Sequence, residues 1–284
     1  MEKFFGFTNE QLLRYNRQII LPSVGGAGQR KLRNARVLCI GAGGLGSPVA
    51  IYLAAAGVGT IGLVDSDRVD LSNLQRQILH RTNDLGRLKV ESGGETLRSL
   101  NPEVAVEMHP IRLSADTALK LFSRYDIIVD CSDNFPTRFL INDACFFTRR
   151  TLVWGAVLRF EGQVAVFRMD GHNPCYRCLL PGPPSPGMVP TCQEAGIMGA
   201  VAGMIGAAQA IEAIKEIIGI GQSMAGRMLY IDALNFQWVE AIVNKNPDCP
   251  LCGEHPSITR LADIQYECAA DDIIPESLVE TDKK

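Results

Sequence analysis

The chain has 284 residues, 46% of them hydrophobic and 21% charged, with a formal net charge of −3. That is enough for one large α/β domain with a sizeable core. The mild acidity, without any run of Lys or Arg, argues against a nucleic-acid partner held through its phosphates.

In chain order, MEKFFGFTNEQ lacks the apolar core of a signal peptide. Thr8 and Gln11 form a capping-box pattern, so a helical arm is predicted from Thr8 to about Arg30. Strands follow at Arg36 to Ile40 and Thr60 to Val64, flanking a helix from Leu45 to Ala56. Further strands are expected at Val104 to Met108 and Asp126 to Val129, with helices at Lys89 to Leu100 and Ala115 to Phe122. Strands alternating with helices predict a parallel, doubly wound sheet. Past Leu152 the texture changes: VWGAVLRF and QVAVFR read as a β-hairpin with Glu161-Gly162 at its turn. A loop rich in Pro and Gly comes next, then the most apolar stretch, Ala195 to Ile211. That stretch is short, full of Gly and Ala, and runs at once into Glu212, Lys215 and Glu216, which predicts a buried helix and no membrane span. A strand at MLYID follows. From Glu254 the tail carries eight acidic residues against three basic ones and shows no period.

The expected architecture is thus a Rossmann-like doubly wound sheet extended by an antiparallel C-terminal half. It divides into an arm (1–30), a nucleotide-binding half (31–150), a crossover half with a mobile cysteine loop (151–253), and an acidic tail (254–284).

Gly41, Gly43 and Gly46 fit G-x-G-x-x-G directly after a strand and at the start of a helix. Such glycines let backbone N–H groups and the helix N-terminus approach a phosphate. Asp65, closing the second strand, lies where a carboxylate accepts from ribose hydroxyls. The loop by itself does not separate ATP from a dinucleotide, so an NAD-dependent oxidoreductase is a rival reading.

The dense polar stretch DSDRVDLSNLQRQILH, followed by GRLKVES, has no evident use in a dehydrogenase. Together with RYNRQIILP, GAGGLGS, VDCSDN, PCYRCL, TCQEAG and CPLC, in that order over about nine tenths of the chain, it resembles the ubiquitin-activating-enzyme-like ThiF/MoeB/HesA family. The resemblance implies an adenylyltransferase: ATP activates the C-terminal carboxylate of a ubiquitin-like sulfur-carrier protein ending in Gly-Gly. An external sulfur donor, such as a cysteine desulfurase or rhodanese, then converts the adenylate to a thiocarboxylate. The chemistry agrees with the residues. A carboxylate with a reference pKa of roughly 3.5 needs no general base. Its obstacle is the α-phosphate's negative charge. One cation about 4 Å away offsets on the order of 4 kcal/mol at an effective dielectric near 20. The site should be rich in cations and poor in bases.

Arg76 and Lys89 are the expected phosphate grips and Asn73 a nucleotide hydrogen-bonding group. The resemblance adds Arg14 as a finger supplied by the second subunit of a homodimer, Asp133 as the magnesium ligand, and Asn134 beside it. Asp130 reads as structural. A carrier-binding scaffold without activity is a further rival, opposed by the presence of every expected polar motif.

Two Cys-x-x-Cys pairs, Cys175/Cys178 and Cys249/Cys252, supply the four thiolates of a closed tetrahedral zinc site. Nine cysteines without an export signal suit a reducing, cytoplasmic setting. Cys192, in a T-x-x-E capping pattern after the Pro/Gly loop, is expected in a first helical turn where its thiolate is favoured. In the family such a cysteine bonds covalently with the activated carrier or its sulfur. Cys39, Cys131, Cys145 and Cys268 read as inert, and the four histidines as packing or surface residues. Ser92-Gly93-Gly94 inside a helix suggests a kink or close packing. The departure from many relatives is the absence of a rhodanese-like segment after CPLC, so a separate sulfur donor is expected.

Overall fold

The computed structural model describes residues 6–185, 188 and 195–264. Two helices open it: α1 (Asn9–Ile19) and α2 (Gly25–Asn34). Thr8 Oγ1 accepts from Gln11 N at 3.2 Å and Gln11 Oε1 accepts from Thr8 N at 3.0 Å, so the expected capping box is present. The predicted single arm is interrupted instead. Pro22 cannot continue a helix, and Gly25 takes a φ of 55°, so the chain restarts there.

Next come β1 (Arg36–Ile40), α3 (Gly46–Ala56), β2 (Thr60–Val64), α4 (Lys89–Leu100), β3 (Ala105–His109), α5 (Ala115–Phe122), β4 (Ile127–Asp130) and α6 (Phe135–Thr148). The antiparallel part holds β5 (Thr151–Leu158), β6 (Glu161–Phe167), a short α7 (Tyr176–Leu179), the long α8 (Gly199–Ile218), β7 (Arg227–Asp232) and β8 (Gln237–Ile242). Strands β3 and β4 lie one residue later than the sequence suggests, and α6 and β8 were not anticipated. All eight strands form one sheet in the order β3-β2-β1-β4-β5-β6-β7-β8. The first five pair in parallel and the rest antiparallel.

Alternation along the central strands builds two cores. Val37 and Cys39 of β1, with Ile127 and Val129 of β4, face α2, α3, α4 and α8. Leu38, Ile40 and Ile128 face α5 and α6. The period of two thus places a helical layer on each face of the sheet. No described helix is long and apolar enough to cross a membrane; α8 is packed on the sheet and on α3, as its small residues require. A Cβ at Gly206 would stand 2.4 Å from Pro48 Cγ.

The hairpin turn falls on Arg159-Phe160, not on Glu161-Gly162, because Leu158 pairs with Glu161 and Val157 with Gly162. Arg159 carries the positive φ, 54°. Gly162 is needed inside β6 for a different reason: a Cβ there would lie 2.3 Å from Ile205 Cδ1 of α8. Gly93 and Gly94 likewise serve packing and make no kink. Helix α4 is continuous, and a Cβ at Gly93 would meet Leu79 Cδ2 at 2.7 Å.

Candidate active site and metal centre

A cavity of about 430 Å³ opens at the C-terminal ends of β1, β2 and β4. With β1 flanked by β2 on one side and β4 on the other, this is the point where the strand order reverses, the place such sheets bind ligands. Gly41 takes a φ of 102°, and a Cβ there would sit 2.7 Å from Cys131 O. Gly46 lies behind the loop, where a Cβ would fall 2.0 Å from Gly41 O. Both must therefore be glycine for the turn to close. The start of α3 carries no side-chain cap, which leaves its N-terminal dipole to a ligand.

The middle of the loop is held from both sides. Ala42 N donates to Asp65 Oδ2 at 2.8 Å, and His80 Nε2 lies 2.9 Å from Ala42 O. His80 Nδ1 is 2.9 Å from Ser92 Oγ of α4. Burial pushes the His80 imidazole below its usual pKa, only partly opposed by the Ala42 contact, so the ring is neutral. Asp65 Oδ1 also accepts from Asp67 N at 2.8 Å, so the carboxylate that ties the ends of β1 and β2 together through Ala42 also shapes the turn after β2.

Four cationic residues line the cavity: Arg76, Lys89, Arg112 and Arg138. Lys89, 8% exposed, donates to Asp67 Oδ2 at 2.8 Å. Arg76 Nη1 donates to Ser72 O at 2.9 Å, and its Cγ lies 3.5 Å from where a Gly44 Cβ would stand. Beyond them Ile111 and Leu113 supply an apolar wall.

The opposite wall comes from the turn after β4. Asp130 is fully buried; its Oδ1 accepts from Ser132 N and Oγ at 2.9 and 2.6 Å. Desolvation raises its pKa against the pull of Arg138 and Ser132. This is a structural setting, as expected of Asp130. Asp133 is exposed at the cavity edge, its one side-chain hydrogen bond among the described residues coming from Asn134 Nδ2 at 3.4 Å, and it retains acceptor capacity for a hard cation. Asn134 Oδ1 accepts from Thr137 N at 3.0 Å and so caps α6. Arg138 packs its guanidinium 5.7 Å from the Trp154 and Phe135 ring centres and donates to Ser132 O at 3.3 Å.

Gly41, Gly43, Asp65, Arg76, Lys89, Asp133 and Asn134 all line this one cavity. Gly46, Asn73 and Arg14 do not. Asn73 bonds Ser72 Oγ at 3.3 Å, and Arg14 donates to Leu100 O at 3.2 Å. Cys192 and Cys268 lie outside the described residues. Gln77 and His80 lie within the polar stretch DSDRVDLSNLQRQILH, though nothing in it marks them out individually, and Arg138 lies in no motif; their importance comes from burial against the loop and the β4 turn.

The four cysteines converge as their spacing suggests. Their sulfurs all lie within 4.8 Å of one another, with Cys175 to Cys249 at 3.6 Å and Cys178 to Cys252 at 3.4 Å. A tetrahedral site with 2.3 Å metal–sulfur bonds has edges of about 3.8 Å. The set fits a thiophilic metal, and none of these cysteines is in a disulfide. Hydrogen bonds from Cys175 and Cys252 depress the Cys178 thiol, while the bond to Cys178 raises Cys175. Arg177, between the first two ligands, is anchored to α6 by a buried bidentate pair with Asp143, both contacts at 2.7 Å. The thiols of Cys39, Cys131 and Cys145 are raised by burial, Cys39 to about 12, as suits unreactive residues.

The chain is 48% identical over 266 residues to a sulfur carrier protein adenylyltransferase of Thermus thermophilus, covering 92% of this chain and 98% of that one. It is 46% identical to a probable adenylyltransferase/sulfurtransferase MoeZ of Mycobacterium tuberculosis, covering 96% of this chain and 69% of that one. It is 47% identical to mouse adenylyltransferase and sulfurtransferase MOCS3, covering 93% of this chain and 57% of that one. In fold it is similar to crystal structures of E. coli MccB, at a TM-score of 0.76 and 22% identity over 88% of this chain and 76% of that one. The ThiF family model matches residues 15–251. From Tyr15 to Leu251, therefore, the glycine loop, the cationic cleft and three of the four clustered cysteines are parts of one continuous match, with Cys252 one residue beyond it, and the chain belongs to the ThiF family.

Proposed function

We propose that this chain uses ATP to adenylate the C-terminal carboxylate of a ubiquitin-like sulfur-carrier protein ending in Gly-Gly. The observation that carries this reading is the gathering of the glycine loop, the α3 N-terminus, Arg76, Lys89 and Asp133 around one cavity. An anion must attack an anion there, and the groups present are those that lower that repulsion. The carboxylate attacks the α-phosphate, pyrophosphate leaves, and the carrier is left as an acyl-adenylate. Arg76 and Lys89 hold phosphate oxygens, Asp65 the ribose, and Asn134, which lines the same cavity, a further nucleotide group. Asp133 would hold magnesium, which when bound shares the phosphate charge.

A sulfur donor such as a cysteine desulfurase or rhodanese then acts on the adenylate, with Cys192 as the residue suited to a covalent step. The exposed edge strand β8 supports a place for the carrier. Trp238 is 50% exposed and Val239 53%, beside Phe236 at 72% in the preceding turn; among the described residues no strand pairs with the outer edge of β8, and such an edge can accept another protein's strand. Val157, on the cavity wall in β5, marks the way for its flexible tail along the β5–β6 hairpin. A homodimer is supported by the apolar side chains left exposed on and after α1, Leu13, Ile20 and Leu21; it would let Arg14 serve the partner's cavity. The four cysteines hold structural zinc, and unpaired thiols throughout the described residues suit the cytoplasm.

The test is carrier-dependent ATP–pyrophosphate exchange. Wild-type chain with a Gly-Gly carrier should exchange, and Arg76→Ala should reduce the rate by about 10²–10³-fold, the usual loss for an oriented group facing developing charge. Exchange that persists unchanged in Arg76→Ala, or is absent in the wild type, refutes the proposal.

A further inference from the structure

We propose that Gln77 is a ligand for the nucleotide's phosphate groups, donating from its carboxamide to a phosphate oxygen seated on the glycine loop. This deepens, and rests on, the reading of the cavity as an ATP site.

Among the described residues, six buried side-chain polar atoms have no hydrogen-bond partner: Gln77 Oε1, Asp130 Oδ2, Arg138 Nε, Arg150 Nε, Trp154 Nε1 and Gln209 Oε1. Two of these residues, Gln77 and Arg138, line the cavity. Arg138 is otherwise engaged by Ser132 O and by aromatic faces. Gln209, away from the cavity, still donates to Asp130 O at 2.7 Å. Gln77 differs from both, since its side chain is 4% exposed and makes no hydrogen bond at either end. A buried amide normally finds partners, and an unpaired one works against folding. The buried orphan Oε1 is an acceptor that a phosphate cannot satisfy; Nε2, also without a hydrogen-bond partner among the described residues, is the donor at the glycine loop, and a bound acceptor is the natural source of its missing bond.

Its position selects the phosphates over the rest of the nucleotide. A Cβ at Gly43 would stand 3.5 Å from Gln77 Nε2, whereas one at Gly44 would stand 3.5 Å from Arg76 Cγ. Successive residues of one turn thus straddle the middle of the glycine loop, the cation at one residue and the amide at the one before. Asp65, the group placed for the ribose, is one residue back along the loop, on Ala42 N, on the side away from Gly44 and Arg76. Phosphate oxygens are acceptors only, so the Nε2 donor suits them.

The experiment compares binding of AMP-CPP with magnesium, and of adenosine, by calorimetry in wild type, Gln77→Met and Gln77→Glu, together with the melting temperature of each ligand-free protein. Gln77→Met keeps the volume and removes an unpaired polar group, so its ligand-free melting temperature should equal or exceed the wild type's. Its Kd for AMP-CPP should rise about 10- to 100-fold, the worth of a hydrogen bond to a charged group, while adenosine binding stays unchanged. Gln77→Glu should weaken AMP-CPP further by setting a carboxylate against the phosphates. AMP-CPP affinity within twofold of wild type in Gln77→Met overturns the assignment. So does an equal loss for adenosine, or a lowered ligand-free melting temperature, either of which marks a packing role. Wild type that binds no AMP-CPP refutes the nucleotide reading itself, and Gln77's role falls with it.

Discussion

His80 illustrates how much a single buried side chain contributes to the loop above it. The neutral ring joins Ser92 of α4 to Ala42 of the glycine loop, and burial holds its pKa below the ordinary value. With the folded pKa depressed, the unfolded chain takes up a proton first as pH falls. Stability is therefore fully present above the unfolded value near 6.5 and declines as pH drops through it toward the folded pKa. His109, also depressed by burial, acts in the same direction. Melting temperature should fall between pH 7.5 and pH 5.5, and His80→Leu should flatten part of that slope while costing about 1–3 kcal/mol for the unpaired Ala42 carbonyl. A slope identical in His80→Leu would show that the ring does not titrate in this way. The polar motif residues Asp65, Arg76, Lys89 and Asp133 were legible in the sequence because each sits in a patterned stretch. Gln77 and His80 share that stretch, yet neither they nor Arg138 stood out as site residues, since what distinguishes them is burial, which no local pattern encodes.

Elements were most legible where a local period or cap governs them. The α1 capping box and helices α4 and α5 match expectation because the relevant forces act within four residues. The β5–β6 turn shows the opposite case. Glu161-Gly162 looks like a turn by composition, but the glycine is reserved for Ile205, a residue of α8 that arrives 43 positions later, as the difference 205 − 162 gives. Gly162→Ala should therefore destabilise the protein by about 1–3 kcal/mol through overpacking, read as a lower denaturation midpoint in urea. Combining it with Ile205→Val should recover part of that loss, because the added and removed methyl groups meet in the same space. Additive losses would show that the two positions are not in contact. Helix α6 was not anticipated because its Asn134 cap closes the stretch VDCSDN, which was read for nucleotide binding, whereas that side chain caps the helix.

At the scale of the whole molecule, the four cysteines join the segment after β6 to the segment after β8. Arg177 and Asp143 add a buried anchor from that joint to α6, the helix whose N-terminus borders the cavity. Purified protein should contain one zinc per chain by elemental analysis. Cys249→Ser, or removal of the metal by a chelator, should lower the melting temperature by about 10 °C, since a loss of a few kcal/mol corresponds to roughly 2–4 °C per kcal/mol in a chain of this size. Metal-free protein that melts at the same temperature would exclude a structural role. The amino-acid sequence determined the strand–helix alternation, the glycine loop, the cationic stretch and the paired cysteines, because each depends on residues close together along the chain. The tertiary structure decided which of them share a cavity, which glycines exist for distant neighbours, and which polar groups are buried without partners. Those outcomes depend on atoms brought together from segments far apart in the chain, where distance in space, rather than separation along the chain, sets the energy.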